Sequence, residues 1–260
     1  MSYSLNDLKR IQKDDDSLKE FSEKLCYHTD ITAYFSALKI KDKKELLKSI
    51  ESKDEEAINR NFDRIIEKYV KFDPDISTDD LTVQERYQIL TYMRRAAAGD
   101  SVKIAHQCPE CEKINSDIEY DLNNMEVTYF DKDNELETSI KVSKKISVHL
   151  GPMTRKDERE VETLIKKRKV KSVTERQIIS LIGIIKKVEI EEEDIVGEVK
   201  LTPSEKLEFF EELNQSIIDD MIEYMKKIEN GVKLPFSFNC EFCDYANEEE
   251  EASVAAFFIS

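Results

Sequence analysis

Two Cys-x-x-Cys pairs stand far apart in this chain, Cys108/Cys111 in CPEC and Cys240/Cys243 in CEFC, and they hold four of its 5 cysteines. A Cys-x-x-Cys turn places two thiolates on one side of a tight knuckle, which is half of a tetrahedral metal site. Two such halves make a closed four-cysteine zinc site, and four thiolates leave no open position for chemistry. Cys108, Cys111, Cys240 and Cys243 are therefore the expected ligands of a structural zinc, against the plainer alternative of four unligated buried thiols. The closely spaced cysteine runs of ferredoxins are absent, which weighs against an iron–sulfur cluster.

Each knuckle sits inside an alternating stretch. Val102, Ile104, His106 and Cys108 share one parity before the first, and Ile114, Ile118, Tyr120 and Leu122 continue after it. Leu234, Phe236, Phe238 and Cys240 do the same before the second, whose tail closes on Ala255-Ala256-Phe257-Phe258-Ile259. Strand, knuckle, strand is the layout of a zinc-ribbon hairpin.

The remaining pattern is mixed. Residues 1–28 read as an amphipathic helical arm, with Leu5, Leu8, Ile11, Leu18, Phe21 and Leu25 apolar and a break at Asp14-Asp15-Asp16. Ile31–Leu38 and Ile146–Leu150 read as strands. Helices are expected over Lys43–Ile50, Glu55–Val70, a segment from Thr82 to Ala98 that Gly99 ends, Lys156–Arg168, Thr174–Lys187 and Ser204–Glu229. ITAYFSALKIKDKKEL from Ile31 lines up without gaps on ISVHLGPMTRKDEREV from Ile146, so that Lys41-Asp42 meets Lys156-Asp157 and Glu45 meets Glu160. The expected fold is thus α+β and mostly helical: strand, helices and cysteine hairpin, twice. The boundaries are a 1–28 arm, a first pseudo-repeat over 29–125 and a second over 126–260. The metal would lie near the pseudo-axis and join the halves.

Composition narrows the function. With 56 acidic and 40 basic side chains the net charge is −16, which repels nucleic acid and anionic membranes. The one basic patch, Lys166-Lys167-Arg168-Lys169 with Lys171, reads as a solvated helix end. No apolar run approaches a membrane span, and MSYSLNDLKRIQKDDD lacks a signal-peptide core, so a reducing cytoplasm is expected, where paired cysteines hold metals. Gly-rich phosphate loops, nucleophile elbows and His-Glu-x-x-His are missing, so neither an enzyme nor a small-molecule substrate is expected. Cys26 reads as a packed thiol, His149 as a core or edge residue, and His106 as a strand neighbour of the metal site. Glu189–Asp194 reads as a solvated turn.

Four segments together resemble a known family: DDLTVQERYQILTYMRRAAAGDSVKIAHQCPEC, YDLNNMEVTYF, ISVHLGPMTRKDEREVE, and the Cys240-Glu241-Phe242-Cys243 knuckle with its Phe-Phe ending. Over roughly residues 75–260 the chain is similar to T4-type bacteriophage baseplate proteins, which include hub components and hub-assembly factors. That family often has Gly after the second Cys of a knuckle, where this chain has Glu112 and Asp244. The resemblance implies a structural or assembly protein of a contractile-tail baseplate hub. It would work in the host cytoplasm and the virion tail, with other tail proteins as partners. The rival reading is a zinc-ribbon adaptor of transcription or translation machinery.

Overall fold

Leu25 to Phe35 turn back on themselves to start the first sheet. In the computed structural model, which describes residues 21–36, 38–52, 54–131, 138–192, 195–228 and 230–251, β1 (Phe21–Lys24) pairs antiparallel with β2 (Thr32–Phe35). Helices α1 (Ile40–Ser52) and α2 (Glu55–Tyr69) follow, and β3 (Val70–Asp73) returns antiparallel to β2. Asp54 starts α2 by accepting from the backbone N–H groups of Glu56 and Ala57. Next come α3 (Val83–Ala98), β4 (Ser101–Gln107), β5 (Ile114–Asp121) and β6 (Glu126–Thr128). Gly99 ends α3 at φ +85°, a left-handed turn that glycine enters without steric cost.

The second stretch opens with β7 (Ser139–Lys141) and β8 (Ile146–Leu150), then α4 (Arg155–Arg168), α5 (Val173–Ser180), a 3-10 turn, β9 (Ile185–Glu192) and β10 (Ile195–Val199). Capping boxes start α4 at Thr154/Asp157 and α6 (Pro203–Glu211) at Thr202/Glu205. After α7 (Gln215–Lys227) the chain closes with β11 (Gly231–Lys233), β12 (Pro235–Asn239) and β13 (Ala246–Glu251).

The chain divides into two compact units. Of the described residues, those within 21–76, 87–127 and 232–251 form the first, and those within 77–86 and 128–231 the second. In the first, the sheet order is β1-β2-β3. Ala33 lies between Glu23 and Phe72, and Tyr34 between Ser22 and Lys71. Ala33, Phe35, Phe62, Ile65 and Ile66 are buried with Ile89, Tyr92 and Met93. Asp42, 1% exposed, is held by Arg64 Nη1 at 2.9 Å, Lys68 Nζ at 2.8 Å and the Tyr69 hydroxyl at 2.5 Å. Burial alone would raise its pKa, but these donors hold the carboxyl well below the usual range.

In the second unit the sheet order is β10-β9-β8-β7. Val148 lies between Ile140 and Val188, and His149 between Ser139 and Lys187. Val148, Leu150, Val161, Leu164, Ile184 and Val188 form its core. Asp157, in the first turn of α4, meets the ammonium of Lys186.

Several elements differ from expectation. Phe21–Lys24, expected in a helical arm, is a strand paired with β2, with Phe21 and Glu23 on its more buried face; residues 1–20 and the aromatic tail at 255–259 lie outside the described residues. The helix expected over 174–187 stops at Ser180, where the β-branched run from Ile182 passes into β9. The helix expected over 204–229 is two, divided before Asn214, which occupies the N-cap of α7. Glu189–Glu192 belongs to β9 and pairs with β10 instead of forming a turn.

Candidate metal centre

The first knuckle joins β4 to β5. The Cys108 N–H donates to the Lys113 carbonyl and the Glu112 N–H to the Cys108 carbonyl, both at 2.9 Å. Glu112 itself takes φ 58°, the left-handed position where glycine costs least. The second knuckle joins β12 to β13. Its Cys240 N–H donates to the Tyr245 carbonyl at 2.9 Å, and the Phe242 N–H points at Cys240 Sγ from 3.4 Å. Both hairpins belong to the first compact unit. They share a core of Val102, Ile104, Tyr120, Leu122, Leu234, Phe236 and Phe238, against which Cys111, Cys240 and Cys243 pack.

The four sulfurs converge. Cys108 Sγ lies 3.7 Å from Cys243 Sγ and Cys111 Sγ 3.6 Å from Cys240 Sγ, and all four lie within 4.8 Å of one another. A disulfide would need about 2.05 Å, and the cysteines are free. A tetrahedron of thiolates about one zinc, with bonds of about 2.3 Å, has sulfur–sulfur edges of roughly 3.8 Å. The group is therefore of the size and donor type to hold one metal ion. All four residues expected as ligands are brought together.

Electrostatics separates the thiols. Burial pushes Cys240 up, but the Phe242 N–H, the Asn115 side-chain amide and neighbouring thiols outweigh it and hold it at about 6. At Cys243 the Tyr245 backbone contact lowers the pKa, while burial and the three other sulfurs push it up to about 12. Crowded sulfurs cannot all ionise without a cation among them, which is the condition a bound metal satisfies.

Asn115 was not singled out in the sequence, yet it ties the hairpins together. It is 1% exposed; its Oδ1 accepts from the Glu241 N–H at 2.9 Å and its Nδ2 approaches Cys240 Sγ at 3.6 Å. The β4–β5 register shifts between Ile104 and His106, from Ile104↔Ile118 to His106↔Asn115. That bulge reverses the parity expected after the knuckle, turning Asn115 inward and leaving Ile114 64% exposed.

The other singled-out residues lie elsewhere. His106 packs edge-on against Phe236 and Phe238, with centroids 5.2 and 4.7 Å away, and is not one of the clustered ligand groups. Cys26 is fully buried, with its N–H donating to Gln88 Oε1 at 2.8 Å. His149 Nε2 contacts Glu189 at 2.6 Å on the second unit's sheet. Among the described residues no helix is long and apolar enough to cross a membrane.

These features define an α+β chain whose distant Cys-x-x-Cys hairpins meet in one all-sulfur cluster. The model of the family described as T4 bacteriophage base plate protein matches residues 18–259, nearly the whole chain, and the chain belongs to that family. It is thus a phage baseplate protein, a class whose members work among other phage tail proteins. No curated protein and no solved structure matches the chain.

Proposed function

We propose that this chain is a non-enzymatic structural or assembly protein of the baseplate hub, a zinc-stabilised scaffold that presents fixed faces to other tail proteins. The observation that carries the reading is the convergence of Cys108, Cys111, Cys240 and Cys243 within 4.8 Å in a chain of the baseplate family. Cys111 and Cys240 are 129 residues apart in sequence. A metal held by all four closes that long loop, and a site completed only in the native state couples metal binding to folding. Zinc would supply the positive charge that lets four thiolates coexist. The protein's part is to place the two knuckles and to hold them with Asn115.

The scaffold is built on a pseudo-repeat, one copy over 29–125 and the other over 126–260. Its support is the matching rows of side chains: Ser22–Tyr34–Lys71 in one sheet and Ser139–His149–Lys187 in the other, each beside a fully buried residue, Ala33 or Val148. The acids at the starts of α1 and α4, Asp42 and Asp157, each meet a lysine, Lys68 or Lys186. In this reading the terminal hairpin of the second copy packs beside the hairpin of the first, within the first compact unit.

A reconstruction of the assembled tail and its assembly intermediates tests the hub role. The chain is expected at the centre of the baseplate, or in hub intermediates that precede it. Its absence from all of them would remove the reading.

A further inference from the structure

The second compact unit carries a basic cleft in an otherwise acidic chain. It has a volume of about 290 Å³ and lies among α4, β9, the end of β10 and α6, lined by five lysines: Lys156, Lys186, Lys187, Lys200 and Lys206. Three carboxylates oppose them, and two are already engaged. Asp157 meets Lys186, and Glu198 stands 3.9 Å from Lys187, which also meets Glu189. Lys206 gives its Nζ to the Ile185 carbonyl at 2.8 Å, which leaves its charge uncompensated. Lys156 and Lys200 have no carboxylate within ion-pair distance among the described residues, and Glu160 is the lining carboxylate left outside the pairs just named. Burial pushes Lys186 below the usual lysine range despite Asp157, and Lys206 acts in the same direction. Five lysines against three carboxylates give the lining a positive balance while the chain carries −16.

Val199 and Leu201 are half-buried in the same wall. A bare phosphate would make no use of them. The wall also has no arginine among its lining residues, the side chain that matches phosphate with two parallel hydrogen bonds.

We infer that this cleft docks an acidic, aliphatic peptide segment of another protein, with its carboxylates on Lys156, Lys200 and Lys206 and its aliphatic side chains on Val199 and Leu201. The inference rests on the scaffold reading for the source of the segment and is independent of the cysteine centre. Lysines supply point charges that tolerate several carboxylate positions, so the site selects for charge and apolar spacing before exact sequence.

The test uses the full chain, isothermal titration and backbone amide NMR. The probes are a hexapeptide alternating glutamate and valine, its glutamine–valine counterpart, and inorganic phosphate. The glutamate peptide is expected to shift the amides of Ile185–Val188 and Glu198–Leu201 and to bind more weakly as salt is added. The double variant Lys156→Gln/Lys200→Gln should weaken it by about fivefold, the scale of two exposed ion pairs. Lys171→Gln, outside the cleft, serves as the charge control and should leave it unchanged. The inference is overturned if the amides do not move, if the glutamine peptide binds equally well, or if the double variant binds like the parent. Phosphate binding the same amides more tightly than the peptide would also overturn it, by making the cleft an inorganic-anion site. None of these results bears on whether the chain is found in the tail, so the two readings fail separately.

Discussion

Glu112 and Asp42 show what single residues contribute. Glu112 holds φ 58° directly after Cys111, a conformation that costs a side chain roughly 1–2 kcal/mol and glycine little. The sequence marked the position as a departure from the glycine often found there, but not the conformation behind it. Glu112→Gly is predicted to raise stability by roughly 0.5–1 kcal/mol, read as a higher denaturant midpoint with an unchanged slope. Asp42 reads in the sequence as one more acid in a chain rich in them, and its role appears only once Arg64, Lys68 and Tyr69 close around it. Because its folded pKa is depressed, its stabilisation is present above the ordinary aspartate range and is lost as pH falls through the folded value. Asp42→Asn removes the charge while keeping the shape, and should cost about 3 kcal/mol at neutral pH. The gap between variant and parent should narrow on acidification; a gap that stays constant would mean that the charge is not what Asp42 contributes.

At the scale of elements, periodicity carried the sequence far where one face is buried. β8 and α4 stand within a residue of their expected positions, because Val148/Leu150 and Val161/Leu164 keep strict periods. It failed where two periods overlap. The segment from Thr174 satisfies a helical pattern until the β-branched run of Ile182, Ile184 and Ile185 takes it into β9. The β4–β5 bulge was invisible for a related reason: one extra residue exchanges the faces of Ile114 and Asn115 without altering composition. That exchange gives the second knuckle its contacts with Asn115. Asn115→Leu keeps the branched heavy-atom outline and removes both the acceptor for the Glu241 N–H and the donor near Cys240. The variant is predicted to weaken metal retention by about 10–100-fold in a competition titration with a chromogenic chelator. Unchanged retention would reduce Asn115 to a packing residue.

For the whole molecule, the pairing of distant knuckles matters most. The chain leaves the first compact unit after Val127 and returns at Val232, and the four sulfurs come from the hairpins that precede and follow that excursion. A cross-link closing a loop of this length is worth about 4–5 kcal/mol in a chain-entropy account, a large share of a typical folding free energy. The cysteine spacing made the meeting of the four sulfurs legible from the sequence alone. The grouping of the terminal hairpin with the first unit was not, because it depends on packing between Phe236, Phe238 and the β4–β5 face. Cys240→Ser is predicted to lower the melting temperature by about 10 °C. The metal should also be released on acidification, since thiolates that regain protons no longer bind it.

The most direct measurement of the central claim is the zinc content of the purified chain by elemental analysis, paired with thermal unfolding before and after exhaustive chelation. The account predicts one zinc per chain, absent in the Cys108→Ser/Cys240→Ser variant, and a clear fall in melting temperature when the metal is stripped. Protein purified without zinc whose unfolding is unaffected by chelation or by zinc addition would contradict it.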